Sequence, residues 1–320
     1  MKKELVNKLK CPECGAMDFG VVATGGEEAG VMDGALTCRG CGAETPVSGG
    51  IVCFRIHDEK VLREKAQWEV FAGSEGWLES DVRYLESLPS SGANLLKKND
   101  TLNWGVHEWN FFNVLRALGV QGMEVLDLGA GRCWSSRWIT LAGGRVTALD
   151  AMEHKTLGLG AGDVFMQGGD IYFERVAGDF NTLPFRDESF DAVFISGALH
   201  HSPAPEKTIS EIARVLRPGG MVALANEPVS NFRAYEEPVV GSVEQEGINE
   251  FSYRVTRLLG LFAKNALHMR HVFENISVYD RSSPYYQGVL AALINRTPAG
   301  RLFVMKIKGG VLNCILQKKK

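Results

Sequence analysis

The stretch Val125-Leu126-Asp127-Leu128-Gly129-Ala130-Gly131-Arg132 decides how this chain is read. An apolar run of strand length opens into a Gly-x-Gly turn, and a helix over Trp134–Ala142 follows it. The two glycines let the backbone enter positive φ and pass close beneath a ligand, while Asp127 offers an acceptor at the strand tip. A dinucleotide fold would want a third glycine at position 134, where Trp134 stands. Working outward, strands are expected at Glu124–Leu128, Arg145–Asp150, Phe173–Gly178, Phe190–Ser196 and Met221–Asn226. Helices are expected at Met152–Phe165 and Pro203–Leu216, then a helical region Ile248–Ala266 and strands His271–Tyr279 and Arg301–Ile307. The alternation predicts an α/β fold: a doubly wound, seven-stranded, mostly parallel sheet whose last strand inserts antiparallel.

Such sheets bind ligands at the carboxyl ends of their strands. Asp150 closes the second strand twenty-one residues after Gly129, and a carboxylate there accepts two hydrogen bonds from ribose hydroxyls. The third strand ends in Gly178-Asp179-Phe180, where Asp179 suits an adenine amino group and Phe180 suits the ring face. Taken singly, Asp150 and Asp179 also suit helix caps or turns. Joined by Leu183-Pro184-Phe185, Ser189-Phe190-Asp191 and Leu216-Arg217-Pro218-Gly219-Gly220, they give a segment that resembles a class I S-adenosylmethionine-dependent methyltransferase of the type 11 kind, from about Gly119 to Glu227. The resemblance implies that Asp127, Gly129 and Gly131 line the methionine and ribose portion of S-adenosylmethionine. It further implies that Asp150 holds the ribose, that Asp179 and Phe180 bind adenine, and that Ser196-Gly197 face the sulfonium. Cys133 stands where the family commonly has another glycine.

The fourth strand tip reads Phe194-Ile195-Ser196-Gly197-Ala198-Leu199-His200-His201. It lacks the Asn/Asp-Pro-Pro-Tyr/Phe sequence of methyltransferases that act on base nitrogens or glutamine amides. The His-His pair resembles small-molecule methyltransferases of quinone biosynthesis, and also tRNA wobble-uridine carboxymethyl methyltransferases. His200, His201 and Glu227 are the candidate catalytic residues. Ser202-Pro203 is expected to open the next helix, whose positive end keeps an imidazole neutral and able to accept a proton. O-methylation of a small molecule is the expected reaction, and a tRNA or rRNA modifier that docks RNA through its N-terminal segment is the alternative. Trp104 and His107 are expected to close over the pocket, and Pro228–Tyr286 to shape it.

Of seven cysteines, four form two C-x-x-C pairs, Cys11/Cys14 and Cys38/Cys41, separated by 23 residues. They supply four thiolates for one tetrahedral zinc with no open coordination position, so the metal is expected to be structural. Gly15 and Gly42 follow the pairs and suit turns that aim N–H groups at sulfur. Leu9–Cys14, Leu36–Cys41 and Pro46–Ile51 resemble the zinc-ribbon activator subunit of tRNA and release-factor methyltransferases. The expected organisation is a ribbon over residues 1–57, a helical linker and cap over 58–118, and the methyltransferase domain over 119–320. Residues 1–57 hold six Lys/Arg against seven Asp/Glu, and the whole chain carries a net charge of −3, so charge disfavours a nucleic-acid partner. No apolar run approaches the roughly 18 residues of a membrane span. The N-terminus lacks the apolar core of a signal peptide. With reduced thiols for zinc, a cytoplasmic location is expected. Lys318-Lys319-Lys320 reads as a frayed, solvated end.

Overall fold

The computed structural model describes residues 1–25, 30–72, 82–90, 104–234, 251–274 and 296–320. The N-terminal segment forms an antiparallel meander of β1 (Phe19–Gly25), β2 (Asp33–Cys38), β3 (Glu44–Ser48) and β4 (Ile51–Cys53). Helix α1 (Glu59–Ala72) follows, then α2 (Val82–Ser87) and α3 (Trp104–Leu118). Five expected strands then appear as β5 (Glu124–Leu128), β6 (Arg145–Asp150), β7 (Glu174–Ala177), β8 (Phe190–Ser196) and β9 (Leu216–Val229), whereas the two late strands are β10 (Leu267–Val272), shifted toward the N-terminus from the expected His271–Tyr279, and β11 (Gly310–Lys318), which was not expected. Between them lie α4 (Trp134–Leu141), α5 (Gly162–Met166), α6 (Pro205–Val215), α7 (Val255–Lys264) and α8 (Pro298–Lys308).

Among the described residues, eleven strands share one sheet rather than the seven expected, in the order β1-β2-β3-β4-β7-β6-β5-β8-β9-β11-β10. β7 through β9 run parallel, and β11 inserts antiparallel between β9 and β10, as the alternation predicts. The meander is a direct extension of that sheet, because β4 pairs in parallel with β7 (Ile51 with Arg175, Val52 with Val176, Cys53 with Ala177). The segment before β1 is tied down too: Lys10 N–H donates to the Pro184 carbonyl, and Arg186 N–H to that of Lys8. Consequently Leu5, Leu9, Leu36, Val47 and Val52 join Leu128, Leu149, Val176, Ile209 and Ile212 in one apolar layer on one face. The opposite face is covered by Phe111, Val114, Leu118, Ile139 and Phe173.

Four local expectations need correction. Met152–Phe165 is mostly a tight loop, since Cβ atoms at Gly158 and Gly160 would lie 2.3 Å from the Met152 carbonyl oxygen and 2.8 Å from Lys155 Cα. Arg301–Ile307 belongs to helix α8, whose start is capped by Thr297 Oγ1 accepting from Gly300 N–H, with Pro298 in the first turn. The final strand is therefore β11, and the terminal lysines are not frayed: Lys318 pairs with Leu267, and its Nζ donates to the Leu216 carbonyl at 2.7 Å. Helix α6 opens at Ala204-Pro205, two residues after the expected cap, because Ser202 Oγ is engaged with Thr208 Oγ1. Of the other expected elements, residues 248–250 and 275–279 lie outside the described residues, as do 235–250 and 275–286 of the expected substrate segment. Among the described residues no helix is long and apolar enough to cross a membrane.

Candidate active site

The turn after β5 holds the first cluster. Gly129 has φ +76°, and a Cβ there would come within 2.3 Å of Ala198 Cβ and 3.1 Å of the Phe180 ring tip. Only glycine fits between them. Gly131, at φ +47°, has open space beside it and donates its N–H to Asp150 Oδ2 at 2.9 Å. The other Asp150 oxygen accepts from Met152 N–H at 2.9 Å, so the carboxylate locks the loop and still has lone pairs to offer. Burial raises the Asp150 carboxyl above its ordinary range against those N–H groups.

Asp127 is fully buried beneath the loop. Its Oδ2 accepts from Ser135 Oγ at 2.7 Å and Ser136 Oγ at 2.6 Å, both on α4, whereas its Oδ1 has no hydrogen-bond partner among the described residues. Burial pushes this carboxyl up to about 6, with the two hydroxyls acting against the shift. A buried, orphaned carboxylate oxygen is costly unless a ligand supplies a donor or a cation. At the tip of β7, Asp179 Oδ1 accepts from Asn181 N–H at 2.8 Å, and burial raises its carboxyl as well. Asp179 borders a cleft of about 330 Å³ that is also lined by Pro12, between the first two cysteines, and by Phe54 and His57 after β4.

The tips of β8 and β9 hold the second cluster. Glu227 is completely buried; it accepts from Leu199 N–H at 3.1 Å and lies 3.2 Å from His200 Nδ1. Because a carboxylate only accepts, Nδ1 carries the proton and Nε2 is left as the basic nitrogen. His201, its ring tilted 38° to that of His200 with centroids 4.2 Å apart, instead places Nδ1 2.8 Å from Glu64 of α1. The two adjacent histidines thus have different partners. Asn226, at φ +59°, orients Glu227: its N–H donates to Asn313 Oδ1 at 2.7 Å and its Nδ2 to the His107 carbonyl at 3.2 Å. The pairing of β9 with β11 slips here, with Glu227 opposite Leu312 but Leu224 opposite Cys314, and such bulges re-aim side chains. Ser196 Oγ is 3.5 Å from Asn226 Nδ2, and Gly197 N–H donates to the Ala225 carbonyl. Trp104 and His107 sit beside this cluster, Trp104 buried against Trp134. Glu64, Asn226, Asn313 and the Ser135/Ser136 pair join the site without having been singled out from the sequence.

The four ribbon cysteines converge. Their sulfurs all lie within 4.8 Å of one another, with Cys11–Cys41 at 3.8 Å and Cys14–Cys38 at 3.6 Å. Zinc–sulfur bonds of about 2.3 Å in a tetrahedron separate sulfurs by about 3.8 Å, so the donor set fits zinc. The two knuckles share one geometry: Gly15 and Gly42 both have φ +76° and donate to the Cys11 and Cys38 carbonyls. Burial pushes the Cys11 thiol up to about 12; it also opposes ionisation of Cys38, yet the N–H groups of Cys41 and Gly40 bring that thiol to about 7.

A parallel sheet with a glycine turn, buried acceptors and polar residues at the carboxyl ends of its strands has the arrangement of nucleotide-type binding folds. Residues 126–224 match the family model of the methyltransferase domain. The chain is 40% identical over 128 residues to a demethylmenaquinone methyltransferase of Renibacterium salmoninarum, covering 40% of this chain and 51% of that protein. It is 26% identical over 229 residues to a ubiquinone/menaquinone biosynthesis C-methyltransferase of Bartonella bacilliformis, covering 69% and 82% respectively. A solved Haloferax volcanii complex of a methyltransferase activator with a methyltransferase aligns with a TM-score of 0.49 at 19% identity, over 80% of this chain and 98% of that one. The chain spans 26%, 46% and 51% of the first curated relatives it matches. It carries a class I S-adenosylmethionine-dependent methyltransferase domain, and its N-terminal cysteine cluster is compatible with a zinc ribbon.

Proposed function

We propose that the protein transfers a methyl group from S-adenosylmethionine to a hydroxyl oxygen of a small molecule, with a structural zinc in the ribbon. The observation that carries the cofactor reading is the buried, unpartnered Asp127 Oδ1 beneath the Gly129–Gly131 turn. It suits the ammonium of the cofactor's methionine portion. Asp150 then holds the ribose hydroxyls with its remaining lone pairs, Asp179 takes the adenine amino group beside Phe180, and Ser196-Gly197 line the sulfonium. When bound, the cofactor supplies an electrophilic methyl group. The chain's own contribution is a base: His200 Nε2 removes the acceptor's hydroxyl proton while Glu227 fixes the ring through Nδ1 and stabilises the imidazolium. His201, held by Glu64, keeps α1 over the Asp150 side of the site.

A second reading, transfer to carbon, is favoured by the names of the matched relatives, one of which is a C-methyltransferase. The same base serves it by ionising a ring hydroxyl conjugated to the accepting carbon, and product NMR separates an O-methyl from a C-methyl group. RNA as acceptor is weakened by the net acidity of residues 1–57. The thiolate site fits a reducing, cytoplasmic setting.

Two binding results are expected, both read by calorimetry with S-adenosylhomocysteine. Asp150→Ala lowers affinity by about 2 kcal/mol, the scale of hydrogen bonds to a charged group; unchanged affinity overturns the ribose assignment. The second concerns pH. With its folded carboxyl near 6 rather than 3.8, Asp127 contributes stability to the free protein that is full below pH 3.8 and lost as pH rises through about 6. Ligand binding to the ionised form runs the other way, so affinity falls about tenfold from pH 7 to pH 5. Asp127→Asn removes that dependence; a pH-independent affinity in the wild-type chain refutes the ammonium contact.

A further inference from the structure

A second cavity, of about 240 Å³, opens between α3, the end of β10 and α8, and shares no lining residue with the Gly129–Gly131 turn. Its walls include Trp109, Phe273 and His271, the last two edge to face with centroids 4.4 Å apart. Trp109 is 53% exposed, whereas Trp104 and Phe111 on the same helix are buried. Asn110, only 2% exposed, lines the same cavity. Its Nδ2 donates to Asn226 Oδ1 at 2.9 Å, but its own Oδ1 is buried with no hydrogen-bond partner among the described residues. Among the described residues the arginine lining the cavity, Arg301, pairs with Glu274 at 2.9 Å and donates to the Val272 carbonyl.

We infer that this cavity binds a neutral, flat aromatic molecule that presents an O–H or N–H donor to Asn110 Oδ1. Three features select that chemistry. The aromatic walls favour stacked or edge-on rings over flexible chains. The balanced Arg301–Glu274 pair gives no net charge to attract an ion. The orphaned acceptor penalises any occupant that lacks a donor, because the carbonyl then stays unpaired and dry. The volume falls below the ~300–1,000 Å³ of pockets for larger ligands, which limits the occupant to one or two rings. Asn110 touches Asn226, the residue that orients Glu227, so the cavity adjoins the acceptor side of the proposed reaction. Its role as an acceptor pocket rests on the methyl-transfer reading; its capacity to bind does not.

The probe is 2-naphthol, titrated into the full chain by calorimetry and tryptophan fluorescence, with 2-methoxynaphthalene as the analogue lacking a donor. Saturable binding with Kd at or below about 1 mM is expected, in keeping with ligand efficiencies for so small a molecule. The methoxy analogue and the Trp109→Ala variant should each bind at least about tenfold more weakly. Phe303→Ala, which removes an exposed ring outside the cavity, should leave binding unchanged. Absent saturable binding, equal binding of both naphthalenes, or an unaffected Trp109→Ala variant each overturns the inference. S-adenosylhomocysteine is titrated in parallel. If it binds and 2-naphthol does not, the cavity assignment falls alone; if the reverse holds, the cavity stands and the methyl-transfer reading falls.

Discussion

Removing zinc is expected to cost the protein most of its stability, well beyond the ribbon itself. Purified protein should hold about one zinc per chain, and the Cys11→Ser/Cys38→Ser double variant should hold none and fail to accumulate as a folded species. In an isolated zinc finger the metal contributes about 10–16 kcal/mol of apparent binding free energy, as much as the roughly 5–15 kcal/mol stability of a whole domain. Here the loss spreads, because β4 is hydrogen-bonded to β7 and the ribbon's Leu5, Leu9, Leu36 and Val52 share an apolar layer with Val176 and Leu149. Unfolding the ribbon strips that layer and leaves β7 as an unprotected sheet edge. Chelator titration of the intact wild-type chain, followed by thermal melting, avoids reliance on a variant that does not fold. A zinc-free chain melting at the same temperature as the loaded one refutes the structural role.

Some of this was legible in the sequence and some was not, for physical reasons. The loop from Asp127 to Gly131 and the acceptor at Asp150 could be read because period, turn chemistry and spacing agree over a short stretch. The cysteines could be read because metal ligation demands a fixed spacing. The junction of ribbon and sheet could not: β4 is three residues long, and its partner in β7 lies more than a hundred residues away. Arg301–Ile307 mixes apolar and basic residues in a way that suits strand or helix, and the helical outcome depends on the cap at Thr297 and on Arg301 reaching Glu274. Glu64 sits in the expected helical cap, where nothing marks it from the neighbouring charges, and only the fold brings it to His201. Asn226 carried a usable signal. Asparagine is among the few residues enriched in the left-handed region, and one placed just before Glu227 at a strand tip is a natural pivot.

Substitution of His200 by Ala is expected to cut turnover by about 10²–10⁴ once an acceptor is known, the range for loss of a positioned general base. Cofactor affinity should survive, because Gly129, Gly131, Asp127 and Asp150 form a separate cluster that makes no hydrogen bond to His200 among the described residues. Glu227 makes the test sharper. Glu227→Gln keeps the shape and one acceptor oxygen, but it removes the charge that stabilises the imidazolium. It should therefore lower turnover while a Leu199 contact persists and the melting temperature stays close to wild type. The double variant His200→Ala/Glu227→Gln should be little slower than His200→Ala alone, since residues acting as a unit are non-additive. His201→Ala provides the contrast: its partner Glu64 lies on α1, so its loss should disturb the cap and cofactor affinity more than the chemical step. A stable His200→Ala protein with near-normal turnover ends the general-base assignment. If turnover and stability fall together in His200→Ala, Glu227→Gln and their double variant, the pair is packing rather than chemistry, and the acceptor must arrive already ionised.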